Sequence, residues 1–269
     1  MHETLLMDAH VHIYPQFDVA RAIEKSLANF IVAQRTSSNR DDALKIWLLT
    51  ERSDCHFFEQ AAGKVYGAYR IDSGPEPECL ITKDAATHEP LIYVFAGRQI
   101  VTTENLEICA LTTTFNAPDR SLPTAEAIEA VRHADGVAAL NWAPGKWFGA
   151  RRAVVQQSFE TFTPNQLFIS DTTMRPTVWR TPKLMSAAQH QGFRVLCGSD
   201  PLPFGGEEHM IATYATLISG AWDDTQPVTS IRQLLQNPDT TFTPCGRRSG
   251  PVAFAKRQYK IMNEKRVNV

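Results

Sequence analysis

Two histidines near the N-terminus have the spacing of a metal-ligand pair. The stretch Asp8-Ala9-His10-Val11-His12 follows the apolar run Leu5–Met7, which predicts a buried β-strand that leads into both rings. Because side chains at i and i+2 of a strand point to the same side, His10 and His12 can direct two imidazoles at one ion. With eight histidines in 269 residues, such a pair also arises by chance, so its meaning depends on further ligands.

A carboxylate stands at the end of a late strand and is the first candidate for a third ligand. The predicted strand Phe193–Cys197 runs into Gly198-Ser199-Asp200. Two imidazoles and one carboxylate form a triad typical of divalent metals, and they leave positions open for water and substrate. The alternative is that Asp200 is a turn residue or a helix cap ahead of Pro201.

Strands of almost continuous apolar character alternate with helical segments along the chain. This alternation is typical of parallel strands covered by helices, and the number of units favours a closed sheet over an open one. We therefore expect an α/β fold, a distorted (β/α) TIM-like barrel of about seven strands, with residues 1–269 as one domain and an irregular insertion at about 65–115. The strands predicted between the first and the last are Ile46–Leu49, Val65–Ile71, Leu91–Phe95, Leu106–Leu111, Gly136–Leu140 and Leu167–Ser170.

Composition narrows the class of partner. A net charge of -2 and a pI near 6.4 give no general case for nucleic acid or an anionic membrane as a partner. The five cysteines form no C-x-x-C pair, and the N-terminus lacks a signal sequence, which favours a cytoplasmic location. The basic stretch 247–266 is interpreted as a solvated tail or last helix rather than an anion-binding arm. Nothing in the sequence sets the oligomeric state.

Four segments, in order along the chain, carry a resemblance to a known family. They are Asp8–His12, Trp47–Arg52, Val94–Gln99 with Leu106–Leu111 after it, and Val195–Asp200. These segments resemble the motifs of the PHP family, named for polymerase and histidinol phosphatase, within the wider amidohydrolase-like metal-dependent barrels. The resemblance implies a PHP domain that binds metal at the mouth of a barrel and hydrolyses phosphate esters.

The chain departs from the family pattern at several ligand positions. Glu51 and Arg52 stand where the family has Asp and His, and Gln99 replaces a ligand glutamate. The following strand offers Glu107 rather than a histidine, and Leu202 occupies the position of the last histidine. Since these changes remove ligand charge and add a fixed cation, we expect one divalent ion (Zn, Mn or Fe) or none. The metal ligands are expected to be His10, His12, Asp200 and Glu107.

The expected activity is that of a metal-dependent hydrolase, with a phosphate ester as the substrate that the resemblance implies. Asp200, Glu51 and Arg52 are the predicted catalytic residues: Asp200 as ligand and general base, Glu51 to complete the shell, and Arg52 to bind an anion. The predicted substrate contacts are Lys146, Arg151, Asp171 and Arg175. Several of these residues have a structural alternative: Arg52 can pair with Glu51 or Asp54, and Asp171 can cap a turn.

A second hypothesis is a protein of the same fold that has no catalytic activity. The substituted ligand positions also fit a degenerate barrel that binds an anionic small molecule or a protein partner without hydrolysis. The loop Asn141–Arg152 bears on this question because it holds two tryptophans, several glycines and several cations. Such a loop can close over an anionic or ring-bearing ligand, or it can be a surface loop pinned by buried tryptophans.

Overall fold

The computed structural model of the protein describes residues 2–36 and 43–267. Within these ranges the strands are β1 (His2–Val11), β2 (Leu44–Leu49), β3 (Val65–Tyr66), β4 (Tyr69–Ser73), β5 (Cys79–Asp84), β6 (Pro90–Phe95), β7 (Gly97–Val101), β8 (Glu107–Leu111), β9 (Val137–Asn141), β10 (Phe168–Thr172), β11 (Val195–Gly198), β12 (Tyr214–Ala221) and β13 (Thr243–Gly246). The helices are α1 (Val19–Arg35), α2 (Phe57–Ala61), α3 (Thr124–His133), α4 (Ala150–Thr161), α5 (Lys183–His190), α6 (Pro227–Gln236) and α7 (Pro251–Val267), with a 3₁₀ turn at Glu207–Met210.

The strands form two sheets of mixed direction. The larger sheet has eight strands in the order β13-β12-β1-β2-β6-β5-β4-β3, and the smaller has five in the order β11-β10-β9-β8-β7. Parallel pairing is confined to β1-β2-β6 in the first sheet and β9-β10-β11 in the second. The remaining neighbours, including β12 beside β1 and the successive strands β3 to β6, run antiparallel.

The predicted TIM-like barrel of about seven strands is therefore wrong: the strands lie in two open mixed sheets. The apolar runs predict parallel strands and their number favours a closed sheet, but an apolar run shows only that both faces of a strand are buried. Two sheets that pack against each other and against helices bury both faces equally well. Hairpins between residues 65 and 111 and the antiparallel return of β12 replace the crossover helices that a barrel requires.

The two sheets approach each other closely at two glycines. A Cβ atom on Gly198 would lie 2.4 Å from the backbone nitrogen of His10, and one on Gly97 would lie 2.0 Å from the carbonyl oxygen of Leu49. Each of these contacts between the sheets forms a seam that a few backbone hydrogen bonds cross. For example, the N–H of Asp200 donates to the carbonyl of His10 at 2.9 Å. Glycine is required there because any side chain would force the strands apart.

Helix α1 covers the outer face of the first parallel strands. Asp18 caps its N-terminus by accepting a hydrogen bond from the N–H of Arg21. Ile23 and Phe30 are fully buried in one cluster with Trp47, whose indole N–H donates to Ser26 at 2.8 Å. Burial of each large apolar side chain contributes about 1.5–3 kcal/mol, so this layer fixes the position of β1 and β2.

None of the helices in the described ranges has the length and apolar character needed to cross a membrane.

The seam at Gly198 gives a test of this packing. Gly198→Ala places a methyl group against the backbone of His10, so we expect a loss of about 1–3 kcal/mol in the free energy of unfolding. Gly205→Ala is the matched control, since a Cβ atom there meets nothing within 4 Å. Thermal unfolding of both variants measures the difference, and equal melting temperatures would contradict the close approach of β1 and β11.

Candidate metal site and its cavity

The end of β1 holds the two histidines side by side. Alternation along the strand places His10 and His12 on the same side, and both are buried, with 0% and 3% of the residue surface exposed. Their Nε2 atoms lie 3.1 Å apart. Two ring nitrogens at this distance cannot both present a lone pair without a proton or a cation between them.

Asp200 joins the pair from the other sheet. Its backbone N–H bonds to the carbonyl of His10, and its φ of +51° turns the chain out of β11 in a left-handed conformation. The Oδ1 atom lies 3.7 Å from the Nε2 atoms of both His10 and His12. The hydroxyl of Thr172 donates to Oδ2 at 3.1 Å and so fixes the rotation of the carboxylate.

The three ligand atoms fit one divalent ion. They lie within 4.8 Å of one another, and two ligands at zinc distances with a tetrahedral angle stand about 3.4 Å apart. The Nδ1 atom of His10 is 3.1 Å from the hydroxyl of Ser170, a contact that orients the ring as partners of metal ligands do. Burial holds the pKa of His12 well below its usual value, which favours the neutral form that binds metal. Burial also lowers the pKa of His10, but the nearby Cys109 and Asp200 outweigh it and raise that pKa to about 10, so a metal ion must displace a proton from this ring.

A buried carboxylate beneath the site holds its two strands together. Asp8 is fully buried and accepts hydrogen bonds from the N–H of His10, the N–H and hydroxyl of Ser199, and the N–H of Ala212. Burial raises the pKa of Asp8 to about 6, and these donors oppose that rise. Asp8 is therefore a positioning residue and not a ligand of the described cluster.

Arg257 is a site residue that sequence reasoning missed. It lies in the basic stretch interpreted as a solvated tail or helix, yet its side chain is buried. The guanidinium donates to the carbonyl of Asp200 at 2.7 Å, to the hydroxyl of Thr173 at 2.7 Å and to Glu207 at 3.0 Å. Helix α7 is thereby tied to the loop that carries Asp200. A buried arginine among many exposed cations leaves no sequence signal.

The cluster opens into a cavity of about 700 Å³. His12 and Asp200 form part of its wall together with Tyr14, whose ring stacks on His12 at 5.3 Å between centroids. Arg52 also lines the cavity with a side chain 42% exposed, and its guanidinium pairs with Asp54 at 3.0 Å. The cavity therefore combines a possible cation site with a solvent-accessible guanidinium, the two features that bind phosphate esters.

Glu107 lines the same cavity but is held away from the histidines by other partners. Its Oε2 atom accepts a hydrogen bond from the amide of Asn141 at 2.9 Å, and its Oε1 atom pairs with Lys146 at 3.2 Å. Lys146 also donates to the carbonyl of Asn105 at 3.0 Å. The described ligand cluster comprises His10, His12 and Asp200 without Glu107.

Glu51 lies outside the cavity wall. It is 2% exposed, accepts a hydrogen bond from the N–H of Phe58 at 3.1 Å, and lies 3.8 Å from the guanidinium of Arg98. Burial raises the pKa of Glu51 to about 7, while Arg98 lowers it. The structure thus brings Asp200 and Arg52 to the cavity and directs Glu51 toward the seam between β2 and β7.

The remaining predicted substrate contacts form structural pairs. Arg175 binds the carboxylate of Asp171 through two nitrogens at 2.5 and 2.7 Å, and both residues are buried. Tyr214 donates a further hydrogen bond to Asp171 at 3.2 Å. Arg151 donates to the carbonyls of Gly145 and Lys146 and so stabilises the loop that precedes it. None of these four predicted contacts (Lys146, Arg151, Asp171 and Arg175) is part of the described cavity wall.

No known protein family matches the sequence, and no curated protein matches it. The fold is similar to that of PsfC from Pseudomonas syringae PB-5123, whose crystal structure superposes with a TM-score of 0.56. The match covers 98% of this chain and 99% of that chain at 10% sequence identity. At this level of identity the similarity establishes a shared fold alone.

The network around Arg257 gives a second test. Arg257→Ala leaves the buried carboxylate of Glu207 without its cation, so we expect a loss of about 3–5 kcal/mol and a melting temperature lower by roughly 10 °C. Lys256→Ala removes an exposed neighbouring cation and should change stability by less than about 0.5 kcal/mol. Equal melting temperatures for the two variants would show that α7 does not anchor the Asp200 loop.

Glu51 gives a test that depends on pH. Its pKa is about 7 in the folded protein and 4.5 ordinarily, so between these values the folded state binds more protons than the unfolded state. The stability that this group contributes is then lost as the pH rises. Glu51→Gln has no proton to lose, so its stability relative to wild type should increase by roughly 2–3 kcal/mol from pH 5 to pH 8.

Urea unfolding at the two pH values measures this increase. Glu59→Gln is the control, because Glu59 contacts the same Arg98 with a side chain 67% exposed to solvent, which screens its charge. An increase of the same size in both variants would contradict the buried environment of Glu51.

Proposed function

We propose that the protein is a hydrolase that uses one divalent ion held by His10, His12 and Asp200, with a phosphate ester as its substrate. The observation that carries this proposal is the convergence of three ligand atoms from the ends of β1 and β11, with two of their residues, His12 and Asp200, on the wall of a cavity of about 700 Å³. The substrate class rests on the resemblance to the PHP family and on Arg52 beside the cluster.

Each residue then has a chemical role. A divalent ion at these ligands supplies Lewis acidity toward a phosphoryl oxygen and water. Asp200 accepts the proton of the attacking water, and Thr172 keeps its carboxylate in one orientation. Arg52 binds the phosphate oxygens. The oxygen of water bonds to phosphorus, the ester P–O bond breaks, and the alcohol leaves with a proton from solvent.

We also propose a reducing, cytoplasmic location. All five cysteines are buried, and the described residues contain no disulfide. Extracellular proteins commonly use such residues for cross-links, whereas reduced thiols are typical of the cytosol.

Metal content and phosphatase activity test the proposal together. We expect wild-type protein prepared without chelator to hold about one Zn or Mn per chain and to hydrolyse p-nitrophenyl phosphate. His12→Ala and Asp200→Asn should each reduce metal affinity and activity by at least about a hundredfold, because even loss of an outer partner of a ligand costs 10–100-fold. His133→Ala, which removes an exposed histidine on α3, is the matched control.

A second candidate function is anion binding without hydrolysis. The placement of the Arg52 guanidinium on the cavity wall favours it, since a fixed positive charge opposes a nearby divalent ion and can bind an anion by itself. Wild-type protein that lacks metal and turnover but binds inorganic phosphate through Arg52 would support this function. That result would exclude the metal-dependent hydrolase.

A further inference from the structure

A second cavity lies on the other side of the loop that borders the metal site. Ala143 and Pro144 of this loop line the metal-side cavity, whereas Trp142, Trp147 and Phe148 line a separate cavity of about 320 Å³. Ligand sites in proteins are commonly of this size and are lined mainly by aromatic and apolar groups. The proposed hydrolase makes no use of this second cavity.

The aromatic side chains that line this cavity contact one another. Trp142 and Trp179 meet edge to face with centroids 5.4 Å apart, and Phe148 lies 6.5 Å from Trp179. Trp179 and Phe148 remain 37% and 49% exposed, which is unusual for such large apolar side chains. Their exposed faces offer a surface on which a planar ring can stack.

One buried donor in the wall has no hydrogen-bond partner among the residues that the structure describes. Trp147 donates its indole N–H to the carbonyl of Asn141 at 2.9 Å, but the indole N–H of Trp142 has no hydrogen-bond acceptor among the described residues. Trp142 is fully buried, so the missing bond is unfavourable unless a ligand or a water supplies an acceptor.

The rim of the cavity carries positive charge alone. Arg152, Arg180 and Lys183 line it, no acidic residue does, and none of the three has an ion-pair partner in the described part of the chain. Their side chains are exposed. Three unpaired cations in a protein of net charge -2 make this rim complementary to an anion.

We propose that this cavity binds a small planar aromatic anion, with its ring against Trp179 and Phe148 and its acidic group at Arg152 and Arg180. An apolar ring alone would leave the cations unused, and a simple inorganic anion would leave the aromatic walls exposed. The combination of ring contacts and guanidinium groups recognises both parts of one ligand. The inference stands apart from the proposed metal chemistry, because it uses none of the metal ligands.

Calorimetric titration with 1-naphthalenesulfonate, an unreactive aromatic anion, tests this site in the full-length protein. We expect saturable binding of one molecule per chain, with 1-naphthol and inorganic sulfate each binding at least about tenfold more weakly. Trp179→Ala should weaken binding about fivefold through loss of ring contact, and Trp179→Phe should restore most of it. The double variant Arg152→Ala/Arg180→Ala should weaken binding about tenfold.

The matched control for charge is Lys64→Ala/Lys256→Ala, which removes two exposed cations elsewhere. We expect it to bind as wild type does, and His12→Ala to do so as well, which separates this site from the metal site. Absence of saturable binding would overturn the proposal. Equal binding of 1-naphthol, or an equal loss in the lysine control, would also overturn it, because the cavity would then not recognise the ring and the charge together.

Discussion

The buried carboxylate of Asp8 is the interaction on which the arrangement of the site depends. It lies at the meeting point of β1, the end of β11 and the segment before β12, and it accepts four hydrogen bonds from them. A buried charge is tolerated only when its lone pairs are satisfied, so each donor is held where the carboxylate needs it. Two of these donors belong to the site: His10 is itself a candidate ligand, and Ser199 directly precedes the candidate ligand Asp200. The geometry of the cluster follows from this constraint.

The need to neutralise buried acids explains why most of the predicted substrate contacts form ion pairs or hydrogen bonds within the protein. Burying Asp171 requires a cation, and Arg175 supplies it; Glu107 at the cavity wall is neutralised by Lys146. An arginine or lysine near a buried acid forms an ion pair with it in the folded protein, and this pair occupies the charge that a substrate would need. Arg52 pairs with the exposed Asp54, where solvent weakens the attraction, and lies over the ring of Tyr14, while its guanidinium stays accessible to the cavity.

The sequence predicted elements better than their assembly. The observed strands β1, β2, β6 and β11 cover or overlap the apolar runs Leu5–Met7, Ile46–Leu49, Leu91–Phe95 and Phe193–Cys197. The barrel was wrong because an apolar run reports burial of both faces, which packed sheets also provide. Strand direction was the missing information: the antiparallel partners of β1 and of β6 are set by hairpins and by the return of β12, whose pairing is not local in the chain.

The sequence by itself determined that His10 and His12 share one side of a strand, because two-residue alternation is a property of the backbone. It also supplied the carboxylate of Asp200 at a strand end. Only the tertiary structure decided that these three residues meet, that Glu51 lies beside Arg98, and that Arg257 from the last helix holds the carbonyl of Asp200. The reason is physical: alternation and apolarity are local signals, whereas the pairing of buried charges is chosen by whichever partner the folded chain brings within reach.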